Sequence, residues 1–312
     1  MRISDISISK EPVLLSRDYI RKLFDFDGRA KERDTNKGDF GKLLAVCGSK
    51  NMTGAAFFAA AGALRCGVGL LYLASEEKAL DILQTKLNEP IFVPVNFEKP
   101  EEIIKIPENI KPSAVLIGPG LGVENSLKFT NALLDLFKQN YNINKIIKSV
   151  IFDADGINSL CLNINILETL SSVTEIILTP HPGEMARLCI AAKFDGVNSP
   201  DDVQKNRVNI ASVFSRRYNC VLVLKGANTV ISGKNGDIYI NPTGNPGMSK
   251  GGSGDILAGM AASYCAQGVD PVISACAAVY LHGLAGDYAA RRYSERGMLP
   301  SDMLDIIGEL QK

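Results

Sequence analysis

Asn245-Pro246-Gly247-Met248-Ser249-Lys250-Gly251-Gly252-Ser253-Gly254-Asp255 runs directly into Ile256-Leu257-Ala258-Gly259-Met260. Glycines ahead of an apolar helical run let the backbone approach a ligand closely, and the unpaired N–H groups of the first helical turn then face an anion. A carboxylate at Asp255 would stand beside a transferring phosphoryl group, placed to take a proton from a substrate hydroxyl. The string also fits an ordinary capped turn, with Ser253 as N-cap and Asp255 favouring the helix dipole. On this stretch alone both readings stay open.

Outward from it, short runs of Val, Ile and Leu alternate with helical stretches, the rhythm of βα units. Strands are expected at Leu43–Cys47, Leu70–Ala74, Ala114–Ile117, Ser149–Phe152, Glu175–Leu178 and Val221–Leu224, and helices at Gly54–Cys66, Glu76–Leu83, Asn125–Lys138, Pro182–Cys189, Pro200–Tyr218, Gly254–Gln267 and Pro271–Arg291. Continuously apolar strands imply burial on both faces, so the fold class is α/β with a mostly parallel central sheet and helices on both faces. A hairpin, Thr229–Ser232 with Ile238–Ile240 around Lys234-Asn235-Gly236, interrupts the alternation. With no repeat or linker, one domain over residues 1–312 is expected, with a leading segment at 1–36 whose Phe24–Asn36 part is charged.

In open α/β sheets ligands bind outside the carboxyl ends of the strands. Five loops that follow strands here are glycine-rich or polar: Gly48 to Gly54, Gly118-Pro119-Gly120-Leu121-Gly122, Asp153-Ala154-Asp155-Gly156-Ile157-Asn158, Thr179-Pro180-His181-Pro182-Gly183-Glu184 and Lys225-Gly226-Ala227-Asn228-Thr229. Together they look like a site. Gly118–Gly122 starts like a dinucleotide fingerprint, but Val123 stands where its last glycine should be, so it reads as a backbone shelf against a ligand or a tight turn. No G-x-x-x-x-G-K-[ST] string occurs, so the chain is not a P-loop NTPase. His181, between two prolines, is a binding candidate or a solvent-facing ring. Asp153 and Asp155, two apart in extended geometry, would point the same way and could hold Mg²⁺ with a phosphate, or serve a turn. Lys225 could meet phosphate as a point charge or be solvated. His282, inside the apolar helix, reads as a packing residue.

Bulk properties narrow the field. With Lys+Arg and Asp+Glu equal at 34 each, there is no overall field to hold a polyanion, so no nucleic-acid partner is expected. Seven scattered cysteines without a C-x-x-C pair suit a reducing compartment and argue against a zinc site or disulfide framework. No secretory signal or bilayer-length apolar run is readable, so cytoplasmic placement is expected and no membrane partner.

Taken in order, these loops resemble the ADP/ATP-dependent NAD(P)H-hydrate dehydratase family, of ribokinase-like fold. The likeness runs from about Leu15 onward and is carried by Lys37-Gly38-Asp39-Phe40-Gly41-Lys42, Gly54-Ala55-Ala56, Ile117 to Gly122, Asp153-Ala154-Asp155, Pro180 to Glu184, Lys225-Gly226 and Gly251 to Asp255. The resemblance implies repair of hydrated NADH or NADPH, in which a nucleotide activates the ring hydroxyl as a phosphate ester and elimination restores the reduced cofactor. It implies Asp255 as the base, with the amides of Gly252, Ser253 and Gly254 stabilising the phosphoryl oxygens. Ala55, Gly122, His181 and Asp255 would contact the hydrate. Lys225, Gly226, Ala227, Asn228, Thr229, Asn245, Gly247, Gly251, Gly252, Ser253 and Gly254 would contact ADP or ATP, ADP favoured, with Mg²⁺ on its phosphates. A homo-oligomer, a tetramer favoured, is expected.

Two departures stand out. Asn36 replaces a histidine frequent before the Lys-Gly pair, which puts a contact near the site in doubt, and Gly156-Ile157 replaces Ala-Leu. Many relatives carry an N-terminal epimerase domain; the stretch before Lys37 is too short for one, so a free-standing form is expected. The rival enzyme is a small-molecule kinase of the same fold, acting on a vitamin precursor or a sugar. The non-enzymatic rival is a nucleotide sensor, which would not need Asp255.

Overall fold

The computed structural model describes residues 11–24 and 35–311; most of the charged Phe24–Asn36 segment lies outside them. Ten strands, β1 Val13–Leu14, β2 Lys42–Val46, β3 Leu70–Ser75, β4 Ile91–Pro94, β5 Ala114–Ile117, β6 Ser149–Phe152, β7 Glu175–Leu178, β8 Val221–Leu224, β9 Val230–Ser232 and β10 Ile238–Ile240, form one sheet in the order β1-β10-β9-β8-β7-β6-β5-β2-β3-β4. Only β9 runs antiparallel to its neighbours, as half of the expected hairpin with β10. The other pairings are parallel.

Alternate strand residues feed two cores, because successive side chains point to opposite faces. Leu43, Ala45, Ile151, Ile177 and Val223 enter one core, and Leu44, Val46, Phe152, Leu178 and Leu224 the other. In chain order the helices are α1 Arg17–Leu23, α2 Thr53–Arg65, α3 Glu77–Leu83, α4 Pro100–Ile110, α5 Val123–Gln139, α6 Tyr141–Asn144, α7 Asp155–Leu162, α8 Asn165–Ser171, α9 Pro182–Ala191, α10 Pro200–Lys205, α11 Arg207–Arg217, α12 Ser253–Ala266, α13 Pro271–Gly297 and α14 Pro300–Glu309. Helices α2, α12, α13 and α14 fill the first core, while α5, α7, α8, α9 and α11 fill the second.

The alanine-rich run Ala55 to Ala63 gives α2 both high helix propensity and a smooth face. On that face α12 comes unusually close: a Cβ at Gly259 would lie 2.0 Å from the Ala59 carbonyl oxygen. The contact leaves α12 no freedom to slide, which fixes where its N-terminus emerges.

All six expected strands are present, and β2, β5, β6, β7 and β8 are consecutive neighbours in the sheet. Their carboxyl ends bring the five polar loops together along one edge. The structure departs from expectation elsewhere. The edge strands β1 and β4, and α1, α4, α6, α7, α8 and α14, were not foreseen, the short β1 and the Pro-ended β4 carrying little periodic signal. Pro200–Tyr218 is two helices, broken at Asn206 where φ and ψ are −132° and 33°. Helix α13 continues to Gly297 across a kink at Ser294.

Candidate active site

Helix α12 opens at Gly252, whose φ of 101° suits glycine and whose Cβ position is filled by the Phe58 ring at 2.5 Å. Ser253 is therefore not the N-cap, and no side chain caps this helix. The Ser253 amide bonds back to Lys250 O at 3.3 Å and the Ile256 amide to Gly252 O at 3.2 Å. Among the described residues the first-turn amides of Gly254 and Asp255 have no such partner, so they are available to an anion.

These residues border a cavity of about 810 Å³ that also takes in Asp153, His181, Glu184, Lys225 to Thr229, Asn241 to Pro246 and His282. The volume suits a nucleotide-sized ligand. Burial pushes the Asp255 carboxyl up to about 7, with Asp153 adding to it, Lys225 opposing, and Asp155 and Glu184 adding further. A carboxylate that titrates near neutrality can accept a proton and later release it.

The charge behind Asp255 is an arranged network. Lys225 Nζ donates to Asp153 Oδ1 at 2.7 Å and lies 3.9 Å from Glu184 Oε2, while the Thr179 hydroxyl donates to the same Asp153 oxygen at 2.7 Å. Burial pulls the Lys225 ammonium down, but Asp153 and Glu184 outweigh it and hold it above its ordinary value. Lys225 is thus neither solvated nor a free point charge. Its loop is held from behind by Arg207, whose Nη2 and Nη1 donate to Leu224 O at 2.8 Å and Lys225 O at 3.3 Å.

Asp153 and Asp155 do not share an extended segment. Ala154 between them adopts φ 48°, ψ −114°, and Asp155 begins α7, where its Oδ2 accepts from the Gly122 amide at 2.9 Å. Among the described residues no three His, Cys, Asp or Glu side chains are grouped to hold a metal by themselves. Asp153 Oδ2 makes no hydrogen bond among the described residues, which leaves one hard oxygen for a cation carried in on phosphates.

His181 caps α9. Its Nδ1 accepts from the amides of Gly183 at 3.0 Å and Glu184 at 3.3 Å, and Glu184 Oε2 accepts in return from the His181 amide at 2.8 Å. That bonding leaves Nε2 as the protonated nitrogen, 3.4 Å from Glu184 Oε1. Burial lowers the ring below its ordinary value, against the pull of Glu184, with Lys225 and Arg187 lowering it further. Neither Ala55 nor Gly122 lines the cavity. Ala55 packs beside Gly120, and Gly122 reaches the site through Asp155. Gly118 is a close-packing residue: a Cβ there would meet the Asp153 carbonyl oxygen at 2.0 Å.

His282, read from sequence as packing, lies on the cavity wall with Nε2 3.5 Å from Ser253 Oγ. Burial holds it down at about 4, so it stays neutral at physiological pH. Asp287 was not singled out, yet its two oxygens accept from the Gly244 amide and from Asn245 Nδ2, each at 3.0 Å, and clamp the loop ahead of α12 to α13. Lys250, beside the glycines, turns away from them to the carbonyls of Glu295, Arg296 and Met298. Asn36 accepts from Gly38 N at 2.8 Å in a turn before β2, at the opposite end of the strand from the site, so its departure from histidine touches no contact in the cavity.

A model of the family described as NAD(P)H-hydrate dehydratase matches residues 43–309. The chain belongs to the NAD(P)H-hydrate dehydratase family. It is 38% identical over 285 residues to a bifunctional NAD(P)H-hydrate repair enzyme from Moorella thermoacetica, covering 89% of this chain and 50% of that one. The chain thus spans about half the length of bifunctional relatives of this kind. It is 30% identical to the ADP-dependent (S)-NAD(P)H-hydrate dehydratase of Bacillus subtilis, covering 90% of this chain and 93% of that one. A crystal structure of the ADP/ATP-dependent NAD(P)H-hydrate dehydratase from Bacillus subtilis, co-crystallized with ATP/Mg²⁺, superposes with a TM-score of 0.79 at 27% identity over 97% of this chain and 98% of that one. The fold of this family member is ribokinase-like, as expected.

Proposed function

We propose that this chain repairs reduced nicotinamide cofactors, dehydrating hydrated NADH and NADPH at the expense of ADP or ATP. One observation carries the reading: Asp255, at the mouth of free first-turn amides, titrates near neutrality at the border of a cavity that also holds His181. The names of its relatives supply the substrate class.

In this mechanism Asp255 takes the proton of the ring hydroxyl as that oxygen bonds the terminal phosphorus of the nucleotide. The bond from that phosphorus to its bridging oxygen breaks, giving AMP from ADP or ADP from ATP. The amides at Gly252–Gly254 meet the charge on the phosphoryl oxygens. The ring carbon–oxygen bond then breaks, phosphate leaves with the electron pair, and loss of a proton from the adjacent carbon restores the double bond. Lys225–Thr229 and Asn245–Gly254 hold the nucleotide; His181 and Asp255 face the hydrate from the cavity wall, while Ala55 and Gly122, outside that wall, meet the part of the dinucleotide that extends beyond it. Mg²⁺, when bound with the phosphates near Asp153 and Asp155, supplies charge neutralisation.

The same reading takes residues 1–312 as one domain working in the cytoplasm as a homo-oligomer, a tetramer favoured; seven free cysteines support a reducing compartment. No described helix is long and apolar enough to cross a membrane. Asp255→Asn tests the mechanism: turnover should fall about 10³-fold or more while ADP affinity holds within about threefold. Unchanged turnover would remove Asp255 from the chemistry. Accumulation of a phosphorylated alcohol without restored cofactor would favour the kinase.

A further inference from the structure

Gly122 and His181, on different loops, are joined by one chain of bonds. The Gly122 amide donates to Asp155 at the start of α7, and Asn158, one turn along that helix, accepts from Arg187 Nε at 2.9 Å. Arg187 lies on α9, about a turn and a half beyond the His181 cap. Gly183 sits between the two side chains: a Cβ there would stand 2.8 Å from His181 Cε1 and 3.9 Å from Arg187 Nη1. A guanidinium and an imidazole therefore flank one small residue, and the imidazole of the pair lines the cavity.

Arg187 is exposed and yet tethered. Among the described residues only its Nε is hydrogen-bonded, and no carboxylate lies within ion-pair distance of it. Fixing a guanidinium by Nε leaves its two terminal nitrogens as a fork, a geometry matched to phosphate oxygens. The charge balance asks for such a group. Asp153, Glu184 and Asp255 surround the single ammonium of Lys225, a setting that disfavours the phosphates of a second anionic ligand. A dinucleotide reaching His181 needs a cation beyond those carboxylates, and Arg187 is placed beside His181.

We infer that Arg187 binds a phosphate group of the hydrated dinucleotide, with Asn158 as the positioning residue that aims it. The inference rests on the substrate class proposed above. Both the pyrophosphate and the 2′-phosphate of NADPH offer the required oxygens.

The test compares wild type with Arg187→Ala, Arg187→Lys and Asn158→Ala in the full chain. It measures KM for hydrated NADH, hydrated NADPH and ADP, and dissociation constants for NADH and NADPH by titration. Arg187→Ala should raise the dinucleotide KM and dissociation constants about tenfold, the loss of a charge-assisted bond, with ADP KM within about twofold. Lysine should restore part of the loss, and Asn158→Ala should give a smaller one. Equal loss for both dinucleotides assigns the pyrophosphate; loss confined to NADPH assigns the 2′-phosphate. Unchanged dinucleotide KM and dissociation constants, or ADP KM rising in parallel, would overturn the assignment. If wild type binds NADH and NADPH in an Arg187-dependent way but restores neither hydrate, the proposed function fails and the phosphate site stands.

Discussion

At the scale of single residues, the proposed chemistry turns on a carboxyl kept out of its ordinary range by its surroundings. Because the folded Asp255 titrates near 7 and an unfolded aspartate near 4, the folded state holds the extra proton between those values. Stability contributed by that group is full below pH 4 and is lost as pH rises toward 7. Asp255→Asn should therefore raise Tm by about 2–4 °C at pH 8 and leave it unchanged near pH 3.5. The free-enzyme kcat/KM should rise along a limb near pH 7 as Asp255 gives up its proton. Thermal unfolding and rate profiles across this range check both; a limb near pH 4 and a pH-independent Tm difference would show an unperturbed carboxyl. Asp255 was marked as a candidate by its place after glycines at a helix start, a place where a carboxylate can also serve the helix dipole. His282 and Asp287 were not: both sit in the interior of α13, and only the fold brings that helix against the loop they support.

At the scale of elements, the glycine-rich loop between β10 and α12 is held by α13 from two directions. Asp287 binds Gly244 and Asn245, and Lys250 Nζ binds three carbonyls around the end of α13. Lys250→Met removes the second anchor without touching the Gly254 and Asp255 amides. Steady-state kinetics should show KM for ADP rising about five- to tenfold, hydrate KM within about twofold, and recovery in Lys250→Arg, the size expected for charge-assisted bonds to carbonyls. A fall in kcat with ADP KM constant would instead place Lys250 on the reacting phosphate. Sequence reading located the apolar central strands and the helices between them, but passed over α4, an amphipathic helix with Pro107 inside it. It missed β1 and β4, whose pairing is set by neighbours across the sheet, and it ran α10 and α11 together because the bend at Asn206 carries no proline or glycine.

For the whole molecule, five loops scattered from Gly48 to Thr229 share one edge because strands β8, β7, β6, β5 and β2 stand side by side; those after β6, β7 and β8 line the cavity, and those after β2 and β5 do not. The parallel order follows from βα connectivity, which is why the edge where these loops gather could be named from sequence while the partition of its charges could not. The pairing of Asp153 with Lys225, the bond of Asp155 to the Gly122 amide and the tether on Arg187 all arise between segments far apart in the chain. The central claim, that this arrangement restores a damaged cofactor, is tested most directly by incubating the purified chain with hydrated NADH and Mg²⁺, with ADP or ATP in turn. Reduced-nicotinamide absorbance should return, matched by one AMP or ADP and one phosphate for each NADH formed. No return of absorbance with either nucleotide would contradict the account.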